Sequence, residues 1–386
     1  MQPSRPRLDA VDLLRGVIMV IMAIDHTRDY FGIPGDNPTN LATTTVALFF
    51  TRWITHFCAP VFFLLTGTGA YLSLRKRTVG ELSNFLITRG LWLIVLEVTV
   101  LRCLAYQFNF DYHVTMLIVI WALGWSMIVL GVLVRLPMQM VIAFGVLLIA
   151  GHNAFDALRS TNVFVVILHG PGFLLNHPGR IVFVSYPLIP WIGVTAVGYG
   201  LGQVYEWDVV PRARFLVRTG LALIAAFVVL RWINVYGDPS RWVAQKSVTF
   251  TLLSFLNTTK YPPSLLFLLM TLGPTLLFLR MAEGGTPALL RPALTIGRVP
   301  LFYFILHFAF IHLLALVVCW VTFGSPHWMV ESPDLGKYPF TAPPGWGFSL
   351  AGVYLAWAVV VIVMYPLCRW FAAVKQRRRE AWLSYL

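Results

Sequence analysis

Apolar windows about 20 residues long recur along this chain, near 11–31, 45–74, 84–106, 114–134, 138–152, 181–205, 213–236, 262–281, 298–323 and 347–371. A segment of that kind in hydrocarbon has no water for its N–H and C=O groups and must satisfy them internally, as a helix. The windows therefore predict an all-α, polytopic integral membrane protein with about ten transmembrane helices, or roughly nine to eleven given the short fifth window and the apolar stretch 160–169. Only 12% of the residues are charged, against about a quarter in soluble domains. No linker or internal repeat interrupts the pattern, so 1–386 reads as one transmembrane domain. The first window follows Arg5 and Arg7 as a secretory leader would, but it is longer than a leader core and ends in charges rather than a small-residue cleavage site, so it is read as a retained helix.

The formal net charge of +13 would suggest a nucleic-acid partner in a soluble chain. Here the Lys and Arg fall mainly between apolar windows, where they orient helices and meet anionic lipid headgroups, and no nucleic-acid role is read from them. An even helix count puts both termini on one side, and Arg5, Arg7, Lys375, Arg377, Arg378 and Arg379 make that side cytoplasmic. Arg75 to Arg77, Arg135, Arg212, Arg214, Arg280 and Arg291 agree, and segments 32–44 and 107–113 carry no Lys or Arg. The long segment 237–261, with Arg241, Lys246 and Lys260, falls outside against this trend. Segments 153–180, 237–261 and 324–346 read as ordered caps over a site or as linkers. Cys58, Cys103, Cys319 and Cys368 stand singly without CxxC spacing, which indicates neither a disulfide framework nor a zinc site, and no metal is expected.

The first window ends in Asp25, His26, Arg28 and Asp29. At 1.5 Å per residue the cluster begins about 21 Å along the helix, in the outer third of a ~30 Å hydrocarbon layer. Asp25 and Asp29 are i and i+4, and His26 and Asp29 i and i+3, so a carboxylate can hold one imidazole nitrogen and leave the other free. Arg52 and His56 on the second window, again i and i+4, reach a comparable depth, and the third brings Glu97 and Arg102, read as part of this polar cluster or, alternatively, as a buried ion pair that fixes helix packing. Each such charge costs roughly 2.5–3.5 kcal/mol at a helix centre, so partners across helices one to three, residues 9–106, are expected. None of the nine histidines falls in the cytoplasmic third, which places any proton transfer in the outer half. At the other end Arg15 and Arg298 sit slightly inside their windows without nearby histidines and suit phosphate or diphosphate recognition. Gly67, Gly69, Gly198 and Gly202 read as helix-packing positions.

Leu8 to Gly16 leading to Asp25-His26, Phe50 to Pro60, and Gly67 together resemble the bacterial branch of the heparan-alpha-glucosaminide N-acetyltransferase-like membrane proteins. The likeness continues through Trp121 to Trp125, His152-Asn153, Pro190 to Gly193, Lys260 to Ser264 and Gly297 to Pro300. More distantly the chain is similar to the membrane acyltransferases that O-acylate glycans, which share the Leu-Arg-Gly start and a His at the end of helix one. The resemblance implies a multi-pass protein of the bacterial cytoplasmic (inner) membrane that takes acetyl from cytoplasmic acetyl-CoA and delivers it to an amino-sugar or glycan acceptor. Segment 33–44 lacks the histidine that the lysosomal enzyme carries between helices one and two, so the role falls to His26 or His56. His26 is then expected as base or acyl carrier, Asp25 or Asp29 as its orienting group, and Arg52 with His56 as charge stabiliser or acceptor site. Arg15 and Arg298 would face the CoA phosphates. The competing reading of the same Asp, His and Arg groups is a proton-coupled or anion transporter. The sequence leaves open the acceptor, the acyl length and the oligomeric state.

Overall fold

The structure, a computed structural model, describes residues 8–158, 160–378, 380 and 383. Arg5, Arg7 and Arg379, used above for orientation, lie outside them. Helix α1 spans Asp9–Phe31, with Asp9 and Asp12 in its first turn and Arg28 in its last, the arrangement that the helix dipole favours. Then follow α2 (Val46–Thr55), α3 (Cys58–Ser73), and α4 (Val79–Leu96), which runs on as a π-helix over Glu97–Tyr106. Strand β1 (Val114–Leu117) leads into α5 (Val119–Leu133), α6 (Met138–Gly151) and α7 (Val163–Leu168). Strands β2 (Gly172–His177) and β3 (Arg180–Val184) precede α8 (Leu188–Val204), α9 (Val209–Ile233) and α10 (Val248–Leu256). The chain continues with α11 (Leu265–Ala282), α12 (Arg291–Gly297), α13 (Pro300–Phe323) and α14 (Leu350–Arg377).

Every apolar window of the sequence contains helix. Among the described residues, seven rods are long and apolar enough to cross a membrane: Val46–Ser73, Val79–Tyr106, Met138–Phe155, Val209–Ile233, Leu265–Ala282, Pro300–Phe323 and Leu350–Arg377. Helices α5 and α8 are apolar but shorter, and α1 is long enough but interrupted by Asp9, Asp12, Arg15, Asp25, Arg28 and Asp29. Two windows begin as strand instead. β1 and β3 pair in parallel, Val114 with Ile181 through Leu117 with Val184, and β2 adds to β3 antiparallel. Their apolar, β-branched residues merge in composition with the helices that follow, so the windows absorbed them. The stretch 160–169 gives only the short α7, on which Phe164 is exposed.

Helix α1 is the axis of the bundle. It packs against α2, α3, α11, α12, α13 and α14, and most of its residues are buried. Its start touches α12 backbone to backbone: a Cβ on Gly16 would stand 1.7 Å from the Ala293 carbonyl oxygen, and one on Gly297 1.8 Å from that of Asp12. Helices α3 and α8 repeat the device, with Gly67 against Thr195 and Gly198 against Leu64, and Thr68 Oγ1 donates to the Gly198 carbonyl at 3.0 Å. Gly202 sits on the Tyr71 side chain, whereas Gly69 faces open space. Gly198→Val is expected to cost about 3 kcal/mol, the upper part of the overpacking range, read as a lowered unfolding midpoint in detergent; an unchanged midpoint would mean the helices separate freely.

At the end of the bundle that carries the sheet, long segments are pinned by the buried Arg231, the half-buried Asp238 and hydrogen bonds to the end of α1. Arg231, 1% exposed, donates to the carbonyls of Ser240, Ser254, Phe255 and Asn257. Asp238 accepts from the Ser240 and Thr259 N–H groups and from the Thr259 and Ser264 hydroxyls. Segment 234–264 is thereby an ordered cap. Segment 324–349 is tied to the end of α1, where Trp346 Nε1 donates to the Tyr30 carbonyl and the Phe348 N–H to that of Phe31. The alternative reading of Glu97 and Arg102 as an ion pair is not what the fold shows, since no bridge joins them. Glu97 Oε2 instead accepts from the Ile120 and Trp121 N–H groups, capping the first turn of α5. Arg102 binds Asp111, Asn109 and the Val114 carbonyl, all beyond the end of the π-helix.

Candidate active site

The last turns of α1, the walls of α2, α3 and α13, and both caps enclose a cavity of 820 Å³ at the sheet end. Its floor is apolar, made by Met22, Cys58, Ala59 and Phe62, and its walls carry Asp25, His26, Arg28, Asp29, Arg52, Tyr186, Lys260, Tyr261 and Tyr338. The charges are organised around Asp25. One carboxylate oxygen takes Arg28 Nη2 at 2.8 Å and the other takes Arg52 Nη1 from α2. Asp29, about half exposed, shares Arg28 at 2.9 Å. Asp25 is thus claimed by two guanidiniums, and neither carboxylate meets His26.

The group on His26 is another imidazole. His26 Nδ1 lies 2.7 Å from His307 Nε2, and His307 Nδ1 lies 2.9 Å from the Tyr303 carbonyl oxygen one turn back on α13. The His26 ring is stacked on Phe308, with centroids 3.8 Å apart. Its Nε2 has no hydrogen-bond partner among the described residues, on a ring that lines the cavity.

Tyr261 completes the wall. Its ring meets that of Tyr186 edge to face with centroids 5.2 Å apart, and Lys260 Nζ lies 5.2 Å from its ring centre. Burial opposes ionisation of both phenols. At Tyr186 it prevails and holds the hydroxyl well above its ordinary value. At Tyr261 the Lys260 ammonium and the Arg52 guanidinium outweigh it, so this phenol lies below its ordinary value and is the stronger acid of the two.

The profile of one family, described as Heparan-alpha-glucosaminide N-acetyltransferase, catalytic, matches residues 7–240. The chain belongs to this family. A comparison with curated proteins finds no match. Membership makes the chain an acyltransferase-family membrane protein, and the match covers α1 to α9. Residues beyond it, Lys260, Tyr261, Phe304, Phe308, Tyr338 and Trp346, complete the cavity of this heparan-alpha-glucosaminide N-acetyltransferase family member.

Of the residues singled out in the sequence, Asp25, His26, Asp29 and Arg52 meet in the cavity. His56 does not. It caps α2, is 2% exposed, lies 5.3 Å ring to ring from Phe267, and its buried Nδ1 has no hydrogen-bond partner among the described residues. Arg15 and Arg298 come together at the opposite end, where Arg15 Nη1 binds Asp12 at 2.9 Å and the Gly297 carbonyl at 3.3 Å, and Arg298 Nη2 binds Asp9 at 3.1 Å. The cavity reaches down α1 only to Met22, seven residues or about 10 Å short of Arg15. Among the described residues no group of three His, Cys, Asp or Glu is placed to hold a metal ion. His307, Lys260 and Tyr261 were not chosen as site residues. The sequence did show a histidine inside the ninth window and a Lys-Tyr-Pro-Pro string, but neither carries a sign of which helix it faces.

Proposed function

We propose that this protein transfers an acyl group, acetyl in the first instance, from cytoplasmic acyl-CoA to an amino or hydroxyl group of a sugar on the far side of the membrane. Family membership supports acyl transfer over the transporter reading of the same charges. The observation that carries the site assignment is His26, a ring with one nitrogen unpartnered among the described residues, on the wall of an 820 Å³ cavity that also carries Arg52, Lys260 and Tyr261. Acyl transfer to an amine or alcohol needs a base for the acceptor proton and donors for the oxyanion.

In this reading the acceptor's N–H or O–H gives its proton to His26 Nε2 as its lone pair forms the bond to the thioester carbon. Arg52, Lys260 and the Tyr261 hydroxyl stabilise the carbonyl oxygen as it gains charge. When the C–S bond breaks, the thiolate takes the proton back from His26, and protons and electrons balance. The apolar floor of Met22, Cys58, Ala59 and Phe62 suits the acyl methyl group. Arg15 and Arg298 are the proposed phosphate contacts of the donor, and the buried Arg298 Nε, which has no hydrogen-bond partner among the described residues, supports this.

The same reading takes ten crossings: α1, α2 with α3, α4 with its π-helix, α5, α6, α8, α9, α11, α13 and α14. It takes one domain over the whole chain, with both termini cytoplasmic in a bacterial inner membrane. In support, Asp9 reaches Arg298 and Phe371 stacks on Phe302 at 4.1 Å, so the start of α1 and the end of α14 both lie beside the start of α13. The test is purified protein in liposomes supplied with radiolabelled acetyl-CoA on one side and glucosamine on the other. Labelled N-acetylglucosamine in the acceptor compartment is expected. No acyl product from acetyl-, butyryl- or palmitoyl-CoA with amino-sugar or hydroxyl acceptors would overturn the reading.

A further inference from the structure

His307 is wholly buried on α13, and 281 positions separate it from His26. Its two ring nitrogens have different partners, and the partners fix its protons. The Tyr303 carbonyl can only accept, so the 2.9 Å contact requires the proton on His307 Nδ1. A neutral ring then has a lone pair at Nε2, and the 2.7 Å contact with His26 becomes a donation from His26 Nδ1–H. His26, neutral as well, is left with its lone pair on Nε2, the nitrogen without a protein partner. The backbone of α13 thus reaches through one imidazole to set the tautomer of another.

We propose that His307 is a positioning residue for the transfer reaction: it holds His26 as the Nδ1–H tautomer, so that the basic Nε2 faces the cavity. This rests on the reading of His26 as the base. When His26 takes the acceptor proton, His307 Nε2 remains the acceptor for Nδ1–H and stabilises the imidazolium, while His307 itself neither gains nor loses a proton. The role is the one a carboxylate often fills beside a catalytic histidine, and both nearby candidates are committed elsewhere, Asp25 to Arg28 and Arg52 and Asp29 to Arg28. A neutral acceptor also avoids burying a further anion in the bundle. Phe308, stacked on His26, and Tyr303, stacked on His307 with centroids 5.0 Å apart, keep both rings in place.

The experiment compares His307→Phe, which keeps the ring and removes the acceptor, with His307→Gln, whose amide oxygen can stand where Nε2 stood. In reconstituted protein His307→Phe is expected to lower kcat by about 10²-fold or more, with KM for donor and acceptor within about threefold. His307→Gln is expected to recover activity to within about tenfold of the parent. Nitrogen NMR of ¹⁵N-histidine-labelled protein, with His26 assigned by its loss in His26→Ala, should show Nδ1 protonated and Nε2 unprotonated, and a tautomer mixture in His307→Phe. Equal losses in the Phe and Gln variants, an unaffected kcat in His307→Phe, or a parent His26 protonated at Nε2 would each overturn the proposal. If His307→Phe is active while His26→Ala is inactive, only the positioning role fails. An active His26→Ala would remove the base assignment and this proposal with it.

Discussion

Replacing His26 with alanine is expected to reduce acyl transfer by about 10²- to 10⁴-fold or to background, the range for loss of a positioned general base, while the protein still folds. His26 is only partly buried and its ring faces the cavity on one side, so truncation enlarges an existing space. The lost stacking on Phe308 and the freed His307 Nε2 cost about 1–3 kcal/mol at most, a downward shift in unfolding midpoint rather than unfolding. His56→Ala should show the inverse pattern. His56 lies between α2 and Phe267, off the cavity, so its removal should lower the midpoint and leave kcat within about tenfold. Steady-state transfer and thermal unfolding of the same two preparations decide the matter. If His56→Ala is inactive and His26→Ala active, the roles are reversed and the site lies between α2 and α11.

The rods were legible because the constraint behind them is severe. A backbone crossing hydrocarbon must be helical or in a closed barrel, so each long apolar run near 11–31 or 298–323 announced itself. β1 and β3 did not, because Val114–Leu117 and Arg180–Val184 are apolar runs touching helices and become strands only by pairing with each other. The site divided along the same line. Asp25, His26, Arg28 and Asp29 lie on two turns of one helix, where the 3.6-residue repeat alone sets their neighbours, and Arg52 followed as a cation at matching depth. Their pairing was less legible. The spacing of His26 and Asp29 permitted an imidazole–carboxylate bond, but Arg28 is at i+3 from Asp25 and adjacent to Asp29, and a guanidinium competes for buried carboxylates with more donors than an imidazole has. His307, Lys260 and Tyr261 arrive from α13 and the cap before α11, and no local period connects them to α1. Their placement depends on how α13 crosses α1 and on Asp238 and Arg231 shaping the cap, which are properties of the assembled bundle.

Asp25→Asn is expected to be the most destabilising of the site variants. The carboxylate separates Arg28 and Arg52, whose side chains are 14% and 13% exposed. An amide there leaves the nearly buried Arg52 without a counter-charge and Arg28 with only the half-exposed Asp29, and breaking a buried pair in this way costs about 3–5 kcal/mol. Part of that loss is repulsion and stranded charge, so removing one cation should return some of it. Asp25→Asn combined with Arg52→Gln is expected to recover about 1–3 kcal/mol relative to the sum of the single variants, the coupling typical of groups in one buried network. Activity should not return with stability, because losing Arg52 removes a cation proposed at the developing oxyanion and, after Lys260, one of the two cations that lower the Tyr261 phenol. Unfolding midpoints for the four members of the cycle, with transfer rates on each, separate the two effects. Additive midpoints would show that Asp25 and Arg52 do not act as a pair. A double variant that regained full turnover would show that the Asp25–Arg52 bridge serves only to hold α1 against α2.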